Sequence, residues 1–327
     1  PCVVVTAGPG ITNAVTGIAS ASLERIPMLV ICGDVPWESH GGCLAQDSGP
    51  GGLGVEQILA PITRGRIRVS HARSAATQAL AALDLATSPM SPGPALLVVP
   101  LDRATAPAPE VPVVPAAKRY VMAPDHAATL EAMQWLSEAA HPLIVIGGAC
   151  RGHEASVQRL VDLLDVPFVT TPRAKGVVSE LHPRSLRTGG MAASMWARRY
   201  TAEPVDVALV LGTDLDDTSM GPTPYIGPSG RLVHVDINPA VFNRNVPTAL
   251  AIQADVGAFA EAAYDVASRE GLRNGKCHAA LRAIKRQSAF DVPDFAGDDA
   301  PRIRPHRALA DVQHAAGPNA RFITDIG

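Results

Sequence analysis

The chain has 327 residues, of which 47% are hydrophobic, 18% charged and 4% aromatic. At about 150 residues per domain this is two domains, three at most, and ample aliphatics with few charges exclude a mainly disordered chain. With 28 basic and 31 acidic side chains the net charge is −3, so neither nucleic acid nor an anionic membrane surface is an expected partner.

Cys2, Cys32, Cys43, Cys150 and Cys277 stand far apart and form no C-x-x-C. Scattered thiols in odd number read as free cysteines in a reducing compartment, which makes the cytoplasm the expected location. No apolar run reaches the ~18 residues of a membrane-spanning helix.

Short β-branched runs alternate with Ala-rich stretches of helical spacing. The strand-like runs are Val3–Thr6, Met28–Cys32, Ala95–Val99, Leu143–Gly147, Pro167–Thr170, Val205–Gly212, Leu232–Asp236 and Arg321–Thr324. Most are continuously apolar, as strands covered on both faces are, which points to parallel sheet. The helical segments are Ile11–Glu24, Ala72–Thr87, Asp125–Ala140, Glu154–Leu164 and Val256–Glu270. The alternation predicts an α/β, doubly wound fold with mostly parallel sheets. Two stretches rich in Pro or turn residues read as linkers, residues 106–124 and 287–305. They set off a first block, 1–105, a second, 125–286, and the opening of a third, 306–327. Pro1 leads straight into Cys2-Val3-Val4-Val5 and Gly327 follows another strand-like run, so the expectation is a segment cut through folded elements at both ends.

No G-x-G-x-x-G is expected along the chain, so the dinucleotide fingerprint fails. Gly271-Leu272-Arg273-Asn274-Gly275-Lys276 is one residue short of a P-loop, and Cys277 stands where Ser or Thr belongs. H-E-x-x-H and G-x-S-x-G are absent, and the His residues lack metal-ligand spacing. Chemistry is therefore expected from a cofactor that these motifs do not announce.

The motif that stands out is Thr6-Ala7-Gly8-Pro9-Gly10-Ile11-Thr12-Asn13. A strand runs into a Gly-Pro-Gly turn and then a helix, so bare backbone can approach a flat ligand. In order there follow Pro27-Met28-Leu29-Val30-Ile31, Gly33-Asp34-Val35-Pro36, Gln46, Ile62-Thr63-Arg64 and Gly93-Pro94-Ala95 through Pro100-Leu101-Asp102. The series resembles the pyrimidine-binding domain of thiamine-diphosphate-dependent enzymes of the acetolactate synthase type. Further on, Pro142 to Gly148, Pro167 to Gly176, His182-Pro183, Asp206 to Gly212, Leu232 to Pro239 and Asp255-Val256 resemble that family's central, Rossmann-like domain. Residues from Ile303 to Gly327 resemble the opening of its diphosphate-binding domain.

The resemblance implies an incomplete pyrimidine-binding domain in 1–105, a central FAD- or ADP-type domain in 125–286 and the start of the diphosphate domain in 306–327. It implies a decarboxylase or carboligase acting on a 2-oxo acid, dependent on thiamine diphosphate and Mg2+, and a homo-oligomer. In the family a Glu upstream of the G-P-G turn drives the cofactor's activation. None of the seven residues before Gly8 is Glu, so no catalytic residue is assigned, and the Mg-diphosphate motif is likewise not found. Gly8, Pro9, Gly10 and Asn13 match the cofactor wall, and Gln46 matches a Gln facing the reacting centre. Gly147, Gly148, Lys175, Gly212, Asp236, Asn238, Asp255 and Val256 match positions around a nucleotide. FAD is a possible ligand of the central domain, although no Arg follows Gly212 as in flavin-binding members. The competing reading is a non-catalytic module that binds FAD or ADP.

Overall fold

A computed structural model describes residues 1–107, 121–221, 225–291 and 302–322, the side chain of Pro228 apart. The chain divides into two compact units, Pro1–Arg119 and Tyr120–Gly327.

The first unit holds a four-stranded parallel sheet in the order β1-β2-β4-β3. The strands are β1 (Cys2–Val5), β2 (Met28–Asp34), β3 (Gly65–Arg68) and β4 (Pro94–Pro100). Its helices are α1 (Pro9–Leu23), the short α2 (Val55–Ile58), α3 (Ala75–Ala86) and the short α4 (Leu101–Ala104). Successive strand residues face opposite sides of the sheet. Thus Val30, Cys32, Leu96 and Val98 pack with Ile11 and Ile18 of α1. Leu97 and the half-buried Leu29 and Ile31 pack with Ala82 of α3. The two faces explain why β2 and β4 read as unbroken apolar runs.

The second unit holds a six-stranded parallel sheet in the order β10-β9-β8-β5-β6-β7. Its strands are β5 (Pro142–Ile146), β6 (Phe168–Thr170), β7 (Ser185–Thr188), β8 (Val205–Leu211), β9 (Ile226–Asp236) and β10 (Leu250–Gln253). The helices are α5 (His126–Glu138), α6 (Glu154–Leu164), α7 (Met195–Thr201), the short α8 (Asp217–Met220), α9 (Val256–Glu270) and α10 (His278–Lys285). A further helix, α11 (Pro305–Ala316), follows. One face of the sheet buries Ile144, Ile146, Phe168, Leu209 and Val233 under residues of α5, α6 and α9, such as Met133, Leu160 and Phe259. The other buries Leu143, Val145, Ala208 and Val210 with Ala197 and Tyr200 of α7 and Leu281 of α10. Both units are α/β with parallel sheets, as the alternation predicts.

Some elements differ from the expectation. Strands β3, β7 and β10 lie in stretches not read as strands, and all three are sheet edges. The expected strand Arg321–Thr324 is irregular at Arg321 and Phe322, and residues 323–327 lie outside the described residues. A strand needs a hydrogen-bonded neighbour, and none pairs with Arg321 or Phe322 among the described residues. Much of both expected linkers also lies outside the described residues, and Pro305, the last residue of the second, opens α11.

The near-match to a P-loop has a structural task. The last carbonyls of a helix lack intrahelical donors. At the end of α5, Asn274 Nδ2 donates to the carbonyls of Leu136 (2.8 Å) and Ala139 (2.9 Å). Lys276 Nζ donates to the Glu138 carbonyl (2.6 Å). The polar side chains of the segment thus cap a helix end. Asn274→Ala should cost about 1–3 kcal/mol, measured by chemical denaturation.

Candidate functional site

The site is built at the end of β1, where the chain turns through Gly8-Pro9-Gly10 into α1. Gly8 has φ +66°, left-handed backbone that favours glycine. A Cβ there would stand 3.0 Å from the Cβ of Gln46. Pro9 opens the helix, a place that needs no N–H.

A relay of hydrogen bonds holds the turn against the loop that follows β2. The Gly8 N–H donates to Ser48 Oγ (3.0 Å), and the Ser48 N–H donates to Asp34 Oδ1 (3.0 Å). The Val35 N–H donates to the same oxygen (2.9 Å). Asp34 ends β2, and its side chain is fully buried (0% exposed). A buried carboxylate needs a counter-charge, and Arg68, at the end of β3, supplies it through an ion pair with Asp34 Oδ2. Arg68 Nη2 also reaches Glu56 Oε2 (2.9 Å). Burial disfavours the Arg68 charge, and Glu56 and Asp34 outweigh it and keep the guanidinium protonated.

Between the turn and the loop opens a cleft of ≈ 590 Å³. Gly8, Pro9, Thr12, Leu44, Gln46, Asp47, Gly52 and Leu53 line it. Pro9, Leu44 and Leu53 give it apolar walls, and Gln46 gives it an amide with both donor and acceptor. Gln46 has φ +60°, rare for a residue with a side chain. Such conformations persist where surrounding contacts fix them and cluster at binding sites.

Asp34, His40 and Asp47 offer three ligand atoms within 4.8 Å of one another. Arg68 already occupies Asp34 Oδ2, so the charge that a cation would bring is in place. Cys32, two residues before Asp34, is no nucleophile: burial first, and then Asp34, push its thiol up to about 11.

The structure brings Gly8, Pro9 and Gln46 to one cleft. Gly10 sits behind them in the first turn of α1, its Cβ position 2.8 Å from Thr6 Cγ2. Asn13 is exposed and lies outside the cleft lining, and Thr12 takes the place beside Pro9. Contrary to the expectation, G-x-G-x-x-G does occur, at Gly49, Gly51 and Gly54, but in a loop ahead of the four-residue helix α2 rather than after a strand.

In the second unit, Gly147 follows β5 and Gly212 follows β8. These strands are neighbours at the centre of the sheet, and the chain leaves them toward opposite edges. Such switch points are where open α/β sheets bind ligands. Here the two glycines close on each other. A Cβ on Gly147 would lie 2.2 Å from the Gly212 carbonyl oxygen, and one on Gly212 would lie 2.5 Å from Ala149 Cβ and 3.1 Å from Val256 Cγ2. The side of Gly148 faces Arg173. Asp255 Oδ1 caps α9 through the Ala258 N–H (2.9 Å). Asp236 Oδ1 accepts the Asn238 N–H (2.8 Å), and Asn238 Oδ1 the Ala240 N–H (3.1 Å). Lys175 joins none of these and pairs with Glu180 (3.1 Å).

Sequence reasoning missed Asp34 and Ser48 as site supports, and missed Arg68 altogether. The available signal was an Asp at the end of an apolar strand, where a carboxylate must be buried and therefore paired.

A family profile described as the N-terminal thiamine pyrophosphate binding domain matches residues 1–58, and one described as the thiamine pyrophosphate enzyme central domain matches 129–263. The chain belongs to the thiamine pyrophosphate enzymes. Its similar relatives include an acetolactate synthase of Arthrospira platensis, 29% identical over 98% of this chain and 56% of that protein. The large subunit of acetolactate synthase isozyme 1 of Escherichia coli is 32% identical over 76% of this chain and 43% of its own length. A probable acetolactate synthase large subunit of Methanocaldococcus jannaschii is 28% identical over 99% and 56%. The chain spans about half the length of the curated relatives it matches. Among the described residues no helix is long and apolar enough to cross a membrane.

Two substitutions separate the parts of the relay. Arg68→Met leaves a buried, uncompensated carboxylate and should cost about 3–5 kcal/mol. Ser48→Ala removes only the acceptor of the Gly8 N–H and should cost about 1 kcal/mol. Both should speed amide exchange at Gly8 and through the loop from Gln46 to Gly54, read by hydrogen exchange.

Proposed function

We propose that the protein is a thiamine-diphosphate-dependent decarboxylase or carboligase that acts on a 2-oxo acid, and that it works as a homo-oligomer. The observation that carries this reading is the cleft beside Gly8-Pro9-Gly10, with apolar walls and a single amide at its lip. The donor set fits a flat heteroaromatic ring: Pro9, Leu44 and Leu53 can contact its faces, and Gly8 leaves room beside it.

When bound, thiamine diphosphate supplies a carbon nucleophile for the 2-oxo carbon and an electron sink as CO2 leaves. Leu44, Leu53 and Pro9 keep water from the ring, which raises the strength of every polar contact inside. The Gln46 side-chain amide, on the lip, orients the substrate carboxylate or oxo oxygen by donating a hydrogen bond. Ser48, Asp34 and Arg68 hold the loop that carries Gln46 at a fixed distance from the turn. No residue of this chain is assigned to the Mg2+ that would hold the diphosphate. The acetolactate synthase relatives support a 2-oxo acid as substrate class, and the five free thiols fit a reducing, cytoplasmic setting.

For the second unit the support runs against flavin. Gly147, Gly212 and Val256 fill one another's space, Asp255 caps its own helix and Lys175 is paired with Glu180, so the residues expected around FAD are engaged by the chain itself. The visible absorbance of the purified protein should show no flavin bands.

Full-length protein supplied with thiamine diphosphate and Mg2+ should release CO2 from a 2-oxo acid. Gln46→Ala should lower kcat by about 100-fold, the usual loss for one preorganised donor, with cofactor affinity unchanged. Absence of cofactor-dependent turnover on a broad panel of 2-oxo acids would overturn the reading.

A further inference from the structure

The second unit carries a basic pocket that neither the family nor the cleft above accounts for. Pro183, Arg184, His278, Leu281, Arg282, Lys285 and Arg286 line an open concavity of ≈ 450 Å³. Four of the seven are Lys or Arg, and a fifth is His. Pro183 and Arg184 lie just before β7, and the others lie on α10 or immediately after it. The strands are parallel, so this is the opposite end of the sheet from Gly147 and Gly212, which follow their strands.

The floor of the pocket is fixed. Asp165, with a side chain 3% exposed, forms an ion pair with Arg184 and accepts from Arg273 Nη2 (2.9 Å) and from His278 Nε2 (2.8 Å). Burial alone would raise the Asp165 carboxyl, but Arg273, Arg184 and His278 outweigh it and hold it below the usual carboxylate range. One carboxylate thus aligns Arg184 and His278 and cannot neutralise the whole group. Lys285 Nζ is held by backbone carbonyls, those of His182 (3.1 Å) and Pro183 (2.7 Å). Among the described residues it has no carboxylate partner. Desolvation, then the like charges of Arg184 and Arg187, push its ammonium down to about 8. At the rim, Arg282 and Arg286 are exposed, and their guanidinium groups make no ion pair among the described residues.

Helix C-termini favour cations, which accounts for basic residues in the last turn of α10. It does not account for their convergence with Arg184 on one concavity, where each cation disfavours its neighbours. A bound anion would relieve that repulsion. The volume exceeds what one phosphate fills, and Pro183 and Leu281 add an apolar wall.

We propose that this pocket binds a multiply charged phosphate-bearing small molecule, with Arg184 and Lys285 as fixed floor contacts and Arg282 and Arg286 closing on it from the rim. Charge-assisted contacts of this kind are strong because both partners are ionised, and Arg forks match phosphate geometry.

The test uses inorganic phosphate, tripolyphosphate and ADP as probes, titrated by calorimetry into the full-length protein. Magnesium-free buffer keeps the polyphosphate from being chelated and leaves no metal to bridge a diphosphate elsewhere. Tripolyphosphate should bind saturably at one site per chain, at least about tenfold more tightly than phosphate, and less tightly as salt is raised. If ADP binds more tightly than tripolyphosphate, the natural ligand is a nucleotide whose organic part meets Pro183 and Leu281. If it does not, the ligand is an inorganic or simple organic phosphate. Arg282→Ala/Arg286→Ala and Lys285→Met should each weaken tripolyphosphate about tenfold or more, whereas Arg73→Ala in the first unit should leave it unchanged. Arg282 and Arg286 are exposed, so their double variant should fold and decides alone if Lys285→Met does not. Non-saturable binding, or equal affinity in the wild type and the double variant, overturns the proposal.

Discussion

The first unit turns on a single buried charge. Asp34 ends a core strand, where the sheet leaves no water to solvate a carboxylate, and it survives there because three groups bond to it. Two are backbone N–H groups, of Val35 and Ser48, and the third is the Arg68 guanidinium; the His40 ring lies close by without a hydrogen bond (Nε2 to Oδ2, 3.5 Å). Val35, Ser48 and His40 belong to the loop after β2, whereas Arg68 comes from the end of β3. Satisfying one carboxylate therefore fixes the end of β3, the loop after β2 and, through Ser48, the Gly8 turn. A buried ion pair of this sort is a poor source of net stability, because desolvation consumes most of the Coulombic gain. Its value lies in geometry: an apolar contact in the same place would slide, whereas three directional bonds to two oxygens do not.

That constraint explains how a loop rich in glycine can still form the wall of a cleft. Residues 49 to 54 contain four glycines and would lose much conformational entropy on ordering. The loop carries its own braces. Its Leu53 N–H donates to the Asp47 carbonyl (2.8 Å), its Gly54 N–H to the Gly49 carbonyl (2.9 Å), and the Gly49 N–H to Asp47 Oδ1 (2.7 Å). These local bonds shape the loop, and the Asp34 relay joins it to the sheet. Gln46, at the boundary between the two, carries the left-handed backbone conformation. Strain at that residue is sustained from both sides, which is the condition for a side chain to be aimed rather than merely exposed.

The same logic decided what could be read from the sequence. Interior strands were legible because both faces are buried and they read as apolar runs: Met28-Leu29-Val30-Ile31 and Leu143-Ile144-Val145-Ile146 are of this kind. Strands β3, β7 and β10 were not, with sequences Gly-Arg-Ile-Arg, Ser-Leu-Arg-Thr and Leu-Ala-Ile-Gln. All three are edges, where one side has no neighbour and polar residues are tolerated or even needed to block further pairing. The cleft divides likewise. The Gly-Pro-Gly turn and Gln46 were visible because local rules for turns and order along the chain suffice. Arg68 was hidden, since its meaning arises only when an edge strand brings it beside a residue 34 positions away. The basic pocket was hidden for the same reason: Arg184 and Lys285 are about a hundred residues apart, and neither is unusual in its own neighbourhood.

Three stretches of this chain carry glycines in patterns associated with phosphate binding, and in two of them the space that glycine frees is taken by the chain. At Gly147 and Gly212 it lets two strand ends meet. At Gly49, with a Cβ position 2.4 Å from the His40 ring, and at Gly52, equally close to the Asp47 carbonyl, it lets a loop fold on itself. In residues 271–276 the glycines supply left-handed backbone instead (φ +66° at Gly271 and Gly275), in a segment whose Asn274 and Lys276 reach a helix end. A missing side chain has two physical readings, room for a ligand or room for backbone, and spacing along the sequence does not separate them. What separates them is the partner found at the position of the absent Cβ. By that criterion Gly8 is a mixed case: Gln46 stands on one side of it at contact distance, and beyond that pair the cleft is open. The glycine brings the loop close enough for Gln46 to form the lip, and the cleft's shape follows from that approach rather than from the glycine pattern alone.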